Sequence, residues 1–368
     1  MRKHSALYAV LALVLLIAGC GSPTAGPPGG AAAAPGAAQA SKIYDQINGM
    51  SGDERAKTLL DLAKKDGNLS LYTSNTDMDD LVKAFEGKYG LKVETYRANS
   101  ETVLQRILQE SSANYQGADL VETNAGELNA LESQQLLYPY EGALRDKVRP
   151  EGQKAGWTAD RFNAFVIGWN TEKVTPGTEP KSLKDLAAPQ WRNKVGLEIG
   201  DVDWFAAMYD YYKSQGMTDD QVMDFFHQLA ANSKITKGHT VMGELLSAGQ
   251  FDVAASIYSH TVDNAAEKGA PVAWKVSGKP VQPVVLRPNG AGLLKTAKHP
   301  AAAMLFMDFL LTDGQQEIAA AHRIGAIPTA DDPLAGVETV SVPEQELLDN
   351  PQKWSDIYKT ITDGGGQA

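Results

Sequence analysis

Cysteine is nearly missing from this 368-residue chain, which has one, Cys20. One thiol cannot close an internal disulfide, so the fold has to rest on a hydrophobic core. A basic excess is missing too. Acidic side chains number 45 against 34 basic ones, for a formal net charge of −11. That excludes a nucleic-acid partner, whose phosphates select a basic face. Past residue 17 no stretch stays apolar for the ~18 residues that a membrane span needs. There is no GxSxG elbow, no HExxH and no GxxxxGKS/T phosphate loop. Gly290-Ala291-Gly292 is too short a glycine motif to indicate a nucleotide. His239 and His260 show no metal-ligand spacing, which argues against zinc. No internal repeat is visible, and no local signature points to catalysis.

What is present begins at the N-terminus. Arg2 and Lys3 precede an apolar run, Ala6 to Ile17, that closes in Ile17-Ala18-Gly19-Cys20. A basic start, an apolar run and small residues at its end have the order of a secretory signal. A cysteine directly after Ala-Gly has the form of a lipobox. On this reading residues 1–19 are a signal peptide and Cys20 becomes a diacylated N-terminus. Acylation accounts for the leftover thiol of an exported chain. At ~0.8 kcal/mol per buried methylene, two acyl chains hold where one would not. The chain is therefore expected outside the cytoplasm, anchored by lipid on the outer face of the cytoplasmic membrane, at the cell surface or in a periplasm. Gly21 to Ser41 reads GSPTAGPPGGAAAAPGAAQAS and has no large apolar side chain to bury. It predicts a mobile tether, so residues 20–42 are assigned to the lipidated Cys and its stalk.

The body alternates helical and strand patterns. Residues 43–66 predict a helix with Ile47, Leu59, Leu60 and Ala63 on one face. Leu69 to Tyr72 predicts a strand. Thr76-Asp77-Met78-Asp79 resembles a capping box, and a helix carrying Leu81, Val82 and Phe85 stops at Gly90. Leu91 to Tyr96 alternates like a strand, Val103 to Leu108 is helical, and Ala118 to Val121 is a strand. A similar region follows. It has a strand at Val195 to Ile199, helices at Trp204 to Tyr212 and Asp219 to Ala231, and a helix from a Thr240 cap to Ala248. A strand at Asp252 to Tyr258 leads into a helix ending near Gly269. The last third returns to a strand, Val284 to Arg287, and to helices at His299 to Leu311 and Asp313 to Ala321. This order predicts α/β regions with mostly parallel sheets and a crevice between them, where ligands sit at strand carboxyl ends.

Five stretches carry a family resemblance: LSLYTSNTDMDDLVKAFEGKYGLKVETY, GADLVETN, PKSLKDLAAPQWRNKVGLEIG, FDVAASIYSHTVDNAAEKGAPV and NGAGLLKTAKHPAAAMLFMDFLLTDGQQEIAAAHRIGAIP. In order and spacing, over about residues 66 to 330, they resemble type II periplasmic solute-binding proteins of ATP-driven importers, in the branch with the ferric-ion-binding proteins. The resemblance implies two α/β lobes, each a mixed sheet flanked by helices, with a cleft between. Residues 43–162 and 284–330 would form the first lobe. Residues 163–283 would form the second, with crossover strands at Asn163 to Thr171 and Gln282 to Asn289. Residues 331–368 would be a helical segment packed on the lobes. It also implies a monomer without cofactor or reaction that delivers a small polar or anionic solute to an ABC permease with a separate ATPase. Ferric iron or an iron chelate is the alternative cargo. A secreted lipoprotein enzyme or a sensory receptor is the alternative of another class.

The cleft candidates are mostly hydroxyls and amides at expected helix starts: Ser74, Asn75 and Thr76, then Thr240, then Ser259, His260 and Thr261. Free N–H groups and the helix dipole there suit a carboxylate or phosphate, and the same residue types are ordinary N-caps. Glu122, Thr123 and Asn124 follow the strand-to-cleft turn. Asp201 and Asp203 beside Trp204 suit a cationic or polar organic group, or else cap a helix over a core tryptophan. Asp77, Asp79 and Asp80 oppose a highly charged anion nearby. His239 and His260 are the histidines placed near the cleft. The iron-binding relatives resemble one another in using a carboxylate, a His and a Tyr pair. Here the His position falls near Thr76 and the Tyr pair near His260-Thr261. Tyr258, His260 and Glu122 would be the metal set if the cargo is iron, and otherwise no metal is expected.

Overall fold

A computed structural model of the chain describes residues 36–367. The predicted signal peptide, Cys20 and the predicted tether up to residue 35 lie outside the described residues.

Two helices open the body, α1 (Ala37–Asn48) and α2 (Gly52–Asp66). The single helix predicted over 43–66 is therefore broken. Ser51 is extended as the N-cap of α2, and Gly52 has a left-handed φ of 62°, which glycine adopts without steric cost. Helix α1 also begins inside the predicted tether. Ala40, Tyr44 and Ile47 are fully buried, and that burial offsets the entropy of ordering the segment.

There follow β1 (Leu69–Thr73), α3 (Met78–Tyr89), β2 (Val93–Arg97), α4 (Ser100–Ser112), β3 (Leu120–Asn124), α5 (Ala125–Ser133) and β4 (Leu137–Tyr138). A long strand, β5 (Thr158–Asn170), leads to β6 (Val195–Glu198), α6 (Val202–Ser214), α7 (Asp219–Ala231), β7 (Ser233–Thr236), α8 (His239–Ser247), β8 (Val253–Tyr258) and α9 (Ser259–Glu267). Three short strands come next, β9 (Val272–Ala273), β10 (Lys275–Val276) and β11 (Lys279–Pro280). A second long strand, β12 (Val284–Leu294), returns to α10 (Pro300–Leu310), α11 (Gly314–Ala320) and β13 (Ile324–Gly325). The C-terminal part holds β14 (Thr339–Ser341), α12 (Glu344–Asp349), α13 (Pro351–Thr362) and β15 (Gly366–Gln367).

The main sheet runs β15-β7-β6-β8-β5-β12-β3-β1-β2. Its ends are parallel, β1 with β2 and β3, and β6 with β7 and β8. Its centre is antiparallel, where β5 and β12 pair with each other and with β8 and β3. The two parallel ends, each covered by helices, are two α/β lobes, and β5 and β12 pass between them. Both crossovers exceed the predicted spans: β5 starts at Thr158 and β12 runs on to Leu294. Residues 284–286 of β12 pair with β14, while residues 289–293 pair with β3. At Gly290 the two crossovers touch so closely that a Cβ would strike the Thr158 carbonyl.

Every residue of β5 is buried, so its sequence has no alternation for a period-2 reading to find. The segment after residue 330 is not wholly helical. β14 joins β12 and β15 joins β7, because the unpaired edges there accept short parallel strands. Helix α13 packs against α6, with Tyr358 stacked 5.3 Å from Phe205. No described helix is long and apolar enough to cross a membrane.

Candidate functional site

The carboxyl ends of β1 and β3 build one wall. After β1, Asn75 is 3% exposed and closes a local turn, its Oδ1 accepting the N–H of Asp77 at 3.0 Å. Ser74 Oγ lies 2.9 Å from Thr123 Oγ1. The predicted capping box is absent: Asp77 is the N-cap of α3 but makes no side-chain cap bond. Its carboxylate instead accepts Arg323 Nε at 2.5 Å, and Arg323 also donates to Thr76 Oγ1 at 3.1 Å and Asn163 Oδ1 at 3.3 Å. Below this, Glu122 is sealed in the sheet, accepting Thr73 Oγ1 and Arg161 Nη1. The same guanidinium nitrogen donates to both oxygens of Asp160 at 3.1 Å. Asn124 Oδ1 accepts Asn289 Nδ2 at 2.6 Å.

The ends of β6 and β8 build the facing wall. Glu198 accepts the N–H groups of Gly200 at 2.5 Å and Gly238 at 2.7 Å. Asp201 Oδ1 lies 2.9 Å from His239 Nε2. The His239 ring stacks 3.6 Å from that of Tyr258, and the His260 ring stacks 5.4 Å from that of Tyr258. Arg287, from β12, donates to Tyr258 Oη at 2.5 Å and to Asp203 Oδ2 at 2.9 Å. Ser259 is buried with no partner for its hydroxyl. Trp204, a predicted cleft residue, is 3% exposed and edge-on to Phe226 at 5.9 Å, so it belongs to the second-lobe core. Thr240 is not a cap. Gly238 is the N-cap of α8, and Thr240 is the second helical residue.

A pocket of about 560 Å³ lies where the walls meet, within the ~300–1,000 Å³ usual for small-molecule sites. Thr76, Asp77 and Arg323 line it from the first lobe, and Thr240, His260, Thr261, Glu244 and Lys268 from the second. A larger hollow of about 960 Å³ is lined by Met50, Leu60, Tyr89 and Leu305 among others. None of the strand-end residues lines it, so the smaller pocket matches the topology of ligand sites in α/β sheets.

Burial shapes the ionisation here. It holds the His260 imidazole well below its ordinary value, and the charges of Arg323, His239, Arg161 and Arg287 add to the effect. It pushes the Tyr258 phenol up, against the pull of Arg287. His260 therefore stays neutral near pH 7, and the Tyr258 hydroxyl keeps its proton. Burial also raises Asp160 to about 7, a rise that Arg161 opposes and Glu122 reinforces. Burial lowers Arg323, as does repulsion from Arg161, while Asp77 supports its charge.

Of the predicted residues, Thr76, Thr240, His260 and Thr261 meet at the pocket. Ser74, Asn75, Glu122, Thr123 and Asn124 lie at the first-lobe strand ends, bound mainly to one another or to the crossovers. Tyr258, Asp201 and Asp203 lie in the second-lobe wall. Glu122 makes its contacts with Arg161 and Thr73, not with Tyr258 or His260. Sequence reasoning missed Arg161, Arg287, Arg323 and Asp160. For Asp160, Arg161 and Arg287 the signal was a charge inside an apolar crossover, as in Arg161-Phe162-Asn163-Ala164-Phe165 and Val284-Val285-Leu286-Arg287, whereas Arg323, between α11 and β13, had none. A buried arginine needs an anionic partner.

Two α/β lobes joined by crossover strands, with a polar pocket at their strand ends, define a type II binding protein. The chain belongs to the bacterial extracellular solute-binding proteins, whose family model matches residues 119–359. It is 22% identical over 320 residues to the Fe(3+)-binding periplasmic protein of Serratia marcescens, covering 82% of this chain and 92% of that one. Its structure resembles iron-bound HitA from Pseudomonas aeruginosa at a TM-score of 0.66 and 23% identity, covering 81% and 99% of the two chains. It also resembles AfuA from Actinobacillus pleuropneumoniae with fructose-6-phosphate bound, at a TM-score of 0.62 and 22% identity, covering 81% and 97%. Proteins of this family and fold are non-enzymatic components of transport, acting outside the cytoplasm.

Proposed function

We propose that the chain is the solute-binding lipoprotein of an ABC importer. Acylated Cys20 holds it to the outer face of the cytoplasmic membrane. A monomer, it closes its lobes on a small polar or anionic organic solute and passes it to a permease driven by a separate ATPase. One observation carries the choice of solute. The pocket offers two cations, Arg323 and Lys268, and the hydroxyls of Thr76, Thr240 and Thr261, but no tyrosine. One of its carboxylates, Asp77, is already held by Arg323. A trivalent ion needs several free anionic oxygens. A carboxylate or phosphate ester needs donors, and donors are what this lining supplies.

The test is a calorimetric panel with the mature, tag-free protein, run in EDTA, over dicarboxylates, sugar phosphates and phosphonates. An organic anion should bind, and Arg323→Ala should weaken it by roughly 10–100-fold, the loss of one or two charge-assisted hydrogen bonds. Binding of ferric citrate, titrated separately without EDTA, with no organic anion binding in the panel, would overturn the reading.

Iron remains the second reading, favoured by the Serratia relative named for Fe(3+) binding. On that reading ferric citrate would bring a visible charge-transfer band that Tyr258→Phe abolishes. The Tyr258 hydroxyl would first have to give up both its proton and its bond from Arg287.

A further inference from the structure

In the second-lobe wall, outside the residues that line the pocket, Glu198, Asp201 and His239 each offer a ligand atom, and the three atoms lie within 4.8 Å of one another. They come from the end of β6, the N-cap of α6 and the first residue of α8. We propose that these three side chains bind a divalent first-row transition-metal ion such as zinc or manganese.

The charge balance points to a cation. Glu198 and Asp201 are 6% and 2% exposed, yet the imidazole of His239 is the basic side chain bonded to either. The guanidinium of Arg287 is taken by Asp203 and Tyr258. Asp201 uses one oxygen on His239, while its Oδ2 is buried with no partner. A buried carboxylate oxygen without a donor loses its hydration and gains nothing in return. A cation at the centre of the cluster supplies what that oxygen is missing.

The ligands are also held in place. Each oxygen of Glu198 accepts one backbone N–H, from Gly200 or Gly238, and keeps a lone pair. Backbone donors of this kind orient ligating carboxylates. The Tyr258 ring, 3.6 Å away, sets the plane of His239. One imidazole and two carboxylates suit zinc, manganese or ferrous iron. They fall short of the six to eight oxygens of calcium and lack the sulfur that cuprous copper prefers. Three protein ligands leave further coordination positions for water or solute. No spacing rule could show this set in the sequence, because its members are separated by a helix pair and a strand.

The inference does not depend on the solute reading. The mature chain, freed of any polyhistidine tag and stripped with EDTA, is titrated calorimetrically with zinc chloride and then manganese chloride, without solute. One of the two should bind saturably at one ion per chain. Asp201→Asn and His239→Asn should each weaken binding roughly tenfold or more. His322→Asn, which alters a half-buried histidine beside Glu267, should leave it unchanged. Glu198→Gln replaces either variant whose thermal midpoint in EDTA shows that it does not fold. Cobalt(II) should give a visible absorption band that His239→Asn removes. No saturable binding up to about 1 mM metal, or binding that survives His239→Asn at full strength, overturns the site.

Discussion

The two walls of the pocket pair their buried charges differently. On the first-lobe side each cation is paired with a carboxylate of the protein, although Arg161 Nε is buried without a partner. Arg161 sits between Glu122 and Asp160, and Arg323 is bound by Asp77, Thr76 and Asn163. On the second-lobe side the pairing is looser, although three acids face two basic groups on both sides. Glu198, Asp201 and Asp203 face one guanidinium, Arg287, and one imidazole, His239. Charges paired as on the first-lobe side cost less to desolvate, and Arg323 and Thr76 still face the pocket. On the second-lobe side Asp201 Oδ2 is buried without a donor. The difference is one of pairing: the β1–β3 side holds its guanidinium groups against carboxylates, and the β6–β8 side leaves Glu198 without a cationic partner.

The sharpest way to break this contrast is to unbalance the first wall. Arg161→Ala leaves Glu122 and Asp160 buried without a cation and should destabilise the fold by about 3–5 kcal/mol in urea unfolding. A loss under about 1 kcal/mol would mean that the first wall does not depend on its own pairing. The same operation on the other side should do less. Asp203→Asn leaves Arg287 with the Tyr258 hydroxyl and should lower stability by about 1.5–3 kcal/mol, the worth of a charged hydrogen bond.

A pH series refines the picture of the first wall. Unfolded, Asp160 releases its proton near pH ~3.9. Folded, it holds it to about 7, because burial outweighs Arg161 and Glu122 adds to the rise. Between those values the folded chain binds the extra proton. The stabilisation is complete below the unfolded value and is lost as pH rises through the folded one. The slope is at most about 1.4 kcal/mol per pH unit. Thermal midpoints from pH 4 to 8 should show this slope in the wild type and a flatter profile in Asp160→Asn. The smallest effect on folding belongs outside both walls. Cys20→Ala should move the protein from the membrane pellet to the soluble fraction while changing stability by less than about 0.5 kcal/mol. Retention in the pellet would remove the acyl anchor.

Much of the element order was legible because it is local. Leu81, Val82 and Phe85 in α3, and the run from Asp219 to Ala231 in α7, show a helical period wherever one face is wet. The reading failed where that contrast disappears. β5 is buried on both sides and has no polar face to mark its ends. Strand β7, four residues long, was passed over between two helices. Trp204 illustrates the same difficulty at a helix start, where a tryptophan faces cleft or core according to which neighbours the sheet supplies. In this chain the neighbour is Phe226.

The order of strands and helices, the single thiol behind its apolar run and the excess of acid over base were all present in the linear chain. Each is set by neighbours within a few turns or by simple counting. The partners of the buried arginines were not. Arg161 meets Glu122 across 39 positions, Arg287 meets Asp203 across 84 and Arg323 meets Asp77 across 246. Such pairs form because β5, β12 and the turn after α11 carry Arg161, Arg287 and Arg323 into a low-dielectric interior. Only the assembled sheet determines which anion stands within reach.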